Sequence, residues 1–394
     1  MQQPARDGAT AELGSFRVLA AAILLGVIGP EVFIVQPGFV QGLVQHLGFD
    51  DRGAGYTASA EMFGIAATTV ALTFLAHRFD WRRVLGASLV VMFAANVACT
   101  YVRDLEIFAF VRCLAGIGAG GVISLSFTVI GLTPSPDRNF GLLIMWVLIY
   151  GALGLFAMPS AFDALGMTGV LWFFALFPLV ALPFVRYMPR TGETVAQVGQ
   201  DAVDLGTPLK SCALLAMFVY FLAQGAVWAY LFLIGQRNAG LGEQQVANGL
   251  MISQFAGIAG AVAAVLLAHR MSRAFALAIG IVGGTVVLSP LVGNMGSLLF
   301  ALAVSIYNFA WNFTQPIQLG AMASFDRRGR VVVYAVAAQM CGLAFGPFVA
   351  ATVISNGNLV PVIWLGIGFF FLSLALFLPP VLAQARRSHG VAFT

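Results

Sequence analysis

Gly64 to Arg78 reads GIAATTVALTFLAHR, and Gly257 to Arg270 reads GIAGAVAAVLLAHR. The two align at an offset of 193 residues, slipping to 192 after a one-residue gap. Each is a run of apolar and small residues ending in His-Arg, the pattern of a membrane helix that reaches a charged surface. A self-similarity at about half the length of a 394-residue chain predicts one structural unit built twice.

The composition agrees. The chain is 60% hydrophobic and 9% charged with a mean hydropathy of +0.92, which a soluble domain could not carry on its surface. A bilayer core about 30 Å thick asks for roughly 20 apolar residues per spanning helix. Twelve such stretches are expected, near 16–43, 54–76, 83–102, 106–132, 140–161, 167–186, 209–235, 245–268, 274–292, 297–323, 330–355 and 359–382. The expected fold is an all-α membrane protein of twelve transmembrane helices in two pseudo-symmetric six-helix bundles, 1–186 and 209–394, joined by a polar linker over 187–208. The first stretch is too long for the apolar core of a cleavable leader, carries Pro30 and Glu31 and lacks a small-residue cleavage site, so it is expected to remain as span 1.

Charge distribution gives orientation. With the N-terminus inside, 16 of the 20 Lys and Arg fall in cytoplasmic segments: Arg6, Arg17, Arg78, Arg82, Arg83, Arg138, Arg186, Arg190, Lys210, Arg270, Arg273, Arg327, Arg328, Arg330, Arg386 and Arg387. Arg52, Arg103 and Arg237 fall outside. Both termini are therefore expected in the cytoplasm, in a bacterial inner (plasma) membrane. The net charge of +4 is explained by topology and calls for no nucleic-acid partner.

Several chemistries are disfavoured. Lys210, the single lysine, lies in GTPLKS without the preceding Gly of a phosphate loop. His46, His77, His269 and His389 fall in loops or the tail, and Cys99, Cys113, Cys212 and Cys341 are scattered without metal or disulfide spacing. Neither metal nor cofactor is expected, and no enzymatic activity. A channel fits the charge pattern, but a two-half repeat fits alternating access better. A non-transporting sensor would need a signalling domain or a longer tail.

Well inside the bilayer, away from the span ends, three residues carry formal charge: Glu31, Glu61 and Arg112. Charge in the bilayer costs at least ~2.5–3.5 kcal/mol on insertion scales, so such groups face a cavity or one another. At a rise of about 1.5 Å per residue, Arg112 lies about 9 Å and Glu61 about 11 Å below the outer surface, and Glu31 about 22 Å above the inner one. If their helices are neighbours, one arginine sits between two carboxylates. Arginine stays protonated, whereas a desolvated carboxyl without a full partner favours its neutral form. One glutamate is thus free to exchange a proton. The sequence favours Glu61 for that role, with Glu31 paired or facing solute. Carried back along the chain, the repeat offset sets Glu61 opposite Gln254 and Glu31 opposite Gln224: two acids in one half, two amides in the other.

Residues three or four apart share a helix face. Span 10 carries Tyr307 and Trp311 on one stripe and Asn308, Asn312 and Gln315 on the next. Span 7 pairs Gln224 with Trp228, span 5 pairs Trp146 with Tyr150, and Gln36 follows Glu31 by little more than a turn. With Gln254 these are the candidate solute-binding residues, although amides also bond between helices and aromatics also fill helix contacts. They suggest a small solute of aromatic or amphipathic character.

Six plus six spans, a polar central linker and basic loops after spans 2 and 8 resemble the major facilitator superfamily. LAHRFDWRRVL (Leu75 to Leu85) is similar to its loop 2–3 motif, with His77 where an acid is usual and Asp80 where glycine is usual. The resemblance implies a gating role for His77, Arg78, Asp80, Arg82 and Arg83. RCLAGIGAGG (Arg112 to Gly121) closely resembles the span-4 motif, whose arginine the resemblance ties to proton coupling in antiporters. YGALGLFAMPS (Tyr150 to Ser160) is loosely similar to the span-5 motif, and a Gly-Pro pair stands instead in span 11, in GLAFGP (Gly342 to Pro347). The resemblance implies a monomeric secondary transporter in contact with lipid and driven by protons. Export of a drug or metabolite by proton antiport is expected; import of an organic or aromatic acid by symport is the alternative.

Overall fold

The computed structural model describes residues 15–191, 203–267, 270–327 and 330–391. Arg6, half of the 187–208 linker, His269 and Arg328 lie outside the described residues. The chain forms α1 (Phe16–Ile28), α2 (Glu31–Ile34), α3 (Gln36–His46), α4 (Asp51–Leu75), α5 (Trp81–Cys99), α6 (Leu105–Gly131), α7 (Pro136–Ala181), α8 (Thr207–Arg237), α9 (Glu243–Leu267), α10 (Arg273–Val286), α11 (Ser297–Ala323), α12 (Arg330–Val353) and α13 (Val360–Val391). Short 3-10 turns follow α4, α7 and α10. Polar residues start several helices: Asp50 accepts from Gly53 N at 2.8 Å, Asp104 from Ile107 N at 3.0 Å, and Ser272 from Phe275 N at 3.3 Å, each satisfying an amide the first turn leaves open.

Among the described residues, ten helices are long and apolar enough to cross a membrane. The protein is a multi-pass, all-helical membrane protein. Large apolar side chains such as Phe110, Val265 and Leu298 lie exposed, an arrangement that suits lipid rather than water.

Two expected spans take a different form. Span 1, expected as one helix, is three: it breaks at Gly29-Pro30 and again at Val35. Pro30 and Pro37 have no N–H, so the carbonyls of Gly26 and Phe33 lose the donors a continuous helix would give them. Spans 5 and 6, expected as separate helices, run together as α7, whose only non-helical residue is Gly166 at φ 64°, ψ −179°. That conformation is essentially confined to glycine, and it turns the chain without an intervening loop. The last helix continues past the expected end near 382 to Val391.

The sequence repeat reappears as packing. α4 lies along α6 and α9 along α11. A side chain on Gly64 would overlap the carbonyl of Cys113, one on Gly116 the carbonyl of Glu61, and one on Gly260 the carbonyl of Phe309. These glycines let helix backbones approach closely.

Contacts between the two halves of the chain run along α4 with α12, α7 with α9, and α3 with α8. At the end where α4 begins, Arg237 Nη1 and Asp51 Oδ2 form an ion pair at 2.6 Å, Tyr230 OH donates to the Asp51 carbonyl at 2.8 Å, and Arg52 Nε donates to the Ile354 carbonyl at 2.8 Å. Further in, Ser59 Oγ donates to the Ala344 carbonyl at 2.8 Å, and Phe63 meets Phe345 edge to face at 4.8 Å. At the opposite end, among the described residues, several bonds tie a half to itself or to the adjoining linker. Trp81 N donates to the Arg190 carbonyl, Arg273 to Ser324 Oγ, and Val203 N to the Ser324 carbonyl. The molecule is fastened at the Asp51 end.

Candidate functional site

Four helices bring a charged cluster into the N-terminal half. Arg112 of α6, fully buried, is held by Glu61 of α4 through an Nη2–Oε1 ion pair and an Nε–H donated to Oε2 at 3.2 Å. Its Nη1 donates to Asn96 Oδ1 of α5 at 2.6 Å, and its guanidinium carbon lies 5.0 Å from the centre of the Phe39 ring of α3. Asn96 then spends its amide N–H groups on the Phe174 carbonyl at 3.1 Å and, at a long 3.4 Å, on Glu31 Oε1. The other Glu31 oxygen has no hydrogen-bond partner among the described residues, although the residue is only 1% exposed.

The expected picture places Arg112 between two acids, with Glu61 exchanging the proton and Glu31 paired or facing solute. The geometry reverses the pairing. Glu61 makes both contacts with the guanidinium, and Glu31 touches it only through Asn96. The break at Pro30 accounts for this, because α2 begins a new helix at Glu31 and turns that carboxylate toward α5.

A second cluster lies in the C-terminal half. Tyr307 OH donates to Gln224 Oε1, and Gln224 Nε2 donates to Tyr220 OH at 3.0 Å, so α11 and α8 are tied by a neutral chain. Tyr220, Gln224, Thr285, Tyr307, Trp311 and Phe370 line a small, partly open cleft. Trp228 meets Trp311 edge to face at 5.9 Å, and its indole N–H donates across the halves to the Phe33 carbonyl at 3.1 Å.

The remaining expected residues divide. Asn312 Nδ2 donates to Asn308 Oδ1 at 2.8 Å, and Asn308 Nδ2 to Ser253 Oγ at 3.3 Å, so this pair is spent joining α11 to α9. Gln254 lies against Gly151 across the halves with its Nε2 unpartnered, and Gln36 is buried with Oε1 unpartnered. Tyr150 packs its ring on Phe177 at 5.9 Å. Gln315 is half-buried, and Trp146 is 50% exposed, away from both clusters. Among the described residues no group of three His, Cys, Asp or Glu lies close enough to hold a metal ion.

With that geometry in view, comparison with known proteins is informative. The profile of the Major Facilitator Superfamily matches residues 21–326.

The chain belongs to the Major Facilitator Superfamily.

It is 24% identical over 357 residues to a chloramphenicol resistance protein of Streptomyces lividans, covering 86% of this chain and 90% of that one. Crystal structures of the nucleoside transporter NupG and of a bacterial homologue of the human lysosomal transporter Spinster, the latter inward-facing and unoccupied, share the fold. Each gives a TM-score of 0.69, at 16% identity over 93% of this chain and 99% of NupG, and at 12% identity over 98% of this chain and 99% of the Spinster homologue. The protein is thus a secondary transporter of a small-molecule solute, not an enzyme.

Within the superfamily frame, the loop after α4 differs from the usual motif at Asp80, and the structure gives the reason. Asp80 caps α5, accepting from Arg82 N at 2.9 Å and Arg83 N at 3.2 Å, a task a glycine could not do. Arg82 Nε donates to the Met188 carbonyl and Trp81 N to the Arg190 carbonyl, which fastens the loop to the segment after α7. His77 and Arg78 end the short 3-10 turn between α4 and α5. Sequence reasoning missed Asn96 and Tyr220, both uncharged. The available signal was a polar side chain within an apolar span, and attention to formal charge passed over it.

Proposed function

We propose that the protein is a proton-coupled exporter of a small aromatic or amphipathic solute, working by antiport in the plasma membrane. It would cross the membrane twelve times as two bundles of six with both termini cytoplasmic, α1 to α3 acting together as one crossing and α7 as two. The fastened Asp51 end would then face outward and the molecule would be open to the cytoplasm. The neutral, aromatic walls around Gln224, Trp228, Tyr307 and Trp311 suit an uncharged solute, in keeping with the name of the Streptomyces lividans relative.

One observation carries the coupling. Glu61 is committed to Arg112, whereas Glu31 keeps a buried oxygen without a partner. An uncompensated buried carboxylate is costly, and a proton or water relieves it. Glu31 is therefore the proton-exchanging acid in this reading, and the Glu61–Arg112 pair is its fixed electrostatic background. Symport of an organic anion would require a free cation, but Arg112 is already occupied by Glu61 and Asn96.

The test uses proteoliposomes with an imposed pH gradient and a panel of neutral aromatic solutes beginning with chloramphenicol. An acid interior should drive accumulation by wild type. Glu31→Gln should retain solute binding and lose gradient-driven accumulation by tenfold or more. Glu61→Gln strands a buried guanidinium and should cost about 3–5 kcal/mol of stability, read by thermal unfolding. Gradient dependence surviving unchanged in Glu31→Gln would remove the assignment.

A further inference from the structure

Glu31 and the aromatic cluster belong to different halves, and one hydrogen bond joins them. In a continuous helix the Phe33 carbonyl would accept from the amide of residue 37, but that residue is Pro37. The carbonyl is met instead by the Val35 N–H, folded back at the end of α2, and by the indole N–H of Trp228 at 3.1 Å. Trp228 is 4% exposed, its ring leans on Trp311, and α8 carries Gln224 one turn before it. Phe33 follows Glu31 by two residues within the four-residue α2. A carbonyl has two lone pairs, and the Val35 N–H fills only one of them, so the indole occupies the position that a helical donor from residue 37 would have taken. When the halves part at the Asp51 end, Trp228 leaves, and α2 rearranges or takes up water in its place.

We infer that Trp228 is a positioning residue that ties closure at the Asp51 end to the conformation of α2, and so to the state of Glu31, by donating to the carbonyl that Pro37 leaves open. The inference rests on the proposed role of Glu31 in proton exchange. The groups facing Glu31 are Arg112 of α6, Glu61 of α4, Asn96 of α5 and Tyr150 of α7, with Cys99 of α5 beside Arg112. All lie in the N-terminal half. Trp228 is thus a route by which the other half reaches the segment that carries this acid, and the link is broken or made with a discrete motion.

The experiment needs no solute. In full-length protein with the four native cysteines replaced by alanine, Ser59→Cys places a thiol in the α4–α12 contact, where separation at the Asp51 end uncovers it. Its maleimide labelling rate in detergent is measured from pH 5 to 8, each rate divided by that of the denatured protein at the same pH. Trp228→Phe keeps a ring and removes the donor. It should raise labelling about fivefold and flatten the dependence on pH to less than half its wild-type amplitude on a logarithmic scale. Pro37→Ala restores an in-helix donor to the Phe33 carbonyl and should produce a similar change by itself. Adding Trp228→Phe to Pro37→Ala should then change labelling by less than about twofold. Equal increments from Trp228→Phe in both backgrounds would reduce Trp228 to packing and overturn the inference, as would wild-type labelling in Trp228→Phe. If pH dependence persists in Glu31→Gln, the proton assignment fails instead, while the non-additivity of Trp228 and Pro37 still decides whether the bond controls closure.

Discussion

Arg112 is fully buried, so its N–H donors are met inside the protein. Glu61 supplies two contacts and Asn96 a third, and Asn96 is oriented by a bond on its other side to the Phe174 carbonyl. The amide thus separates the guanidinium from Glu31 while remaining bonded to both. Asn96→Leu would fill the space and remove the acceptor. It should lower stability by about 1–3 kcal/mol, measured by thermal unfolding, because it leaves part of a buried cation unsatisfied. It should also shift the pH dependence of transport, since the polar link between Glu31 and Arg112 is gone. A purely structural Asn96 would lower stability without that shift. The three charges were legible in the sequence because a charge in a membrane helix is rare. Their pairing was not, because it depends on an uncharged amide from a fourth helix and on the direction in which a broken helix aims Glu31.

At the scale of elements, close helix packing and deliberate breaks divide the work. The repeat that identifies the fold ends α4 and α9, and both helices use glycine against their partners. Tolerance to a side chain differs from glycine to glycine within these contacts. A methyl at Gly116 would strike the Glu61 backbone, which cannot move without separating α4 from α6, whereas a methyl at Gly257 would meet the Asn312 side-chain nitrogen at 2.9 Å. Gly116→Ala should therefore cost about 3 kcal/mol or more and loosen the Glu61–Arg112 pair, while Gly257→Ala should stay below about 1.5 kcal/mol as Asn312 turns aside. Comparable losses in thermal unfolding would show that Asn312 is held too firmly to turn aside. Apolar run lengths anticipated the long apolar helices, because a bilayer demands that length. The second break in span 1 was harder to see, because the effect of Pro37 shows only when the donor that stands in for its missing N–H, Trp228, comes from 191 residues further along the chain.

For the whole molecule, the decisive feature is that one end is fastened across the halves. Charge counting assigned Arg52 and Arg237 to the outer surface and gave them no further task; long-range pairing of loop residues leaves no periodic trace in a sequence. In the fold both reach across. Arg237 extends from the end of α8 to Asp51 at the start of α4, and Arg52 reaches the carbonyl of Ile354 at the end of α12. Asp51 also receives Tyr230 on its carbonyl, so a single helix start collects contacts from the opposing half. The Arg237 side chain is 36% exposed and that of Asp51 11%, so water and salt weaken the pair, and a contribution of about 1 kcal/mol is reasonable. Such a value corresponds to roughly a fivefold change in the balance between closed and open forms. Arg237→Gln should accordingly raise labelling of a thiol introduced at position 59 about fivefold. In 1 M salt, where screening extends over only about 3 Å, wild type should approach the variant while the variant itself changes little. Tyr230→Phe removes a neutral hydrogen bond to the same helix start and should raise labelling in a way that salt does not reproduce. If Arg237→Gln and wild type label alike at low salt, closure is held by the apolar contacts of α4 with α12, and the ion pair merely decorates an end that is already shut.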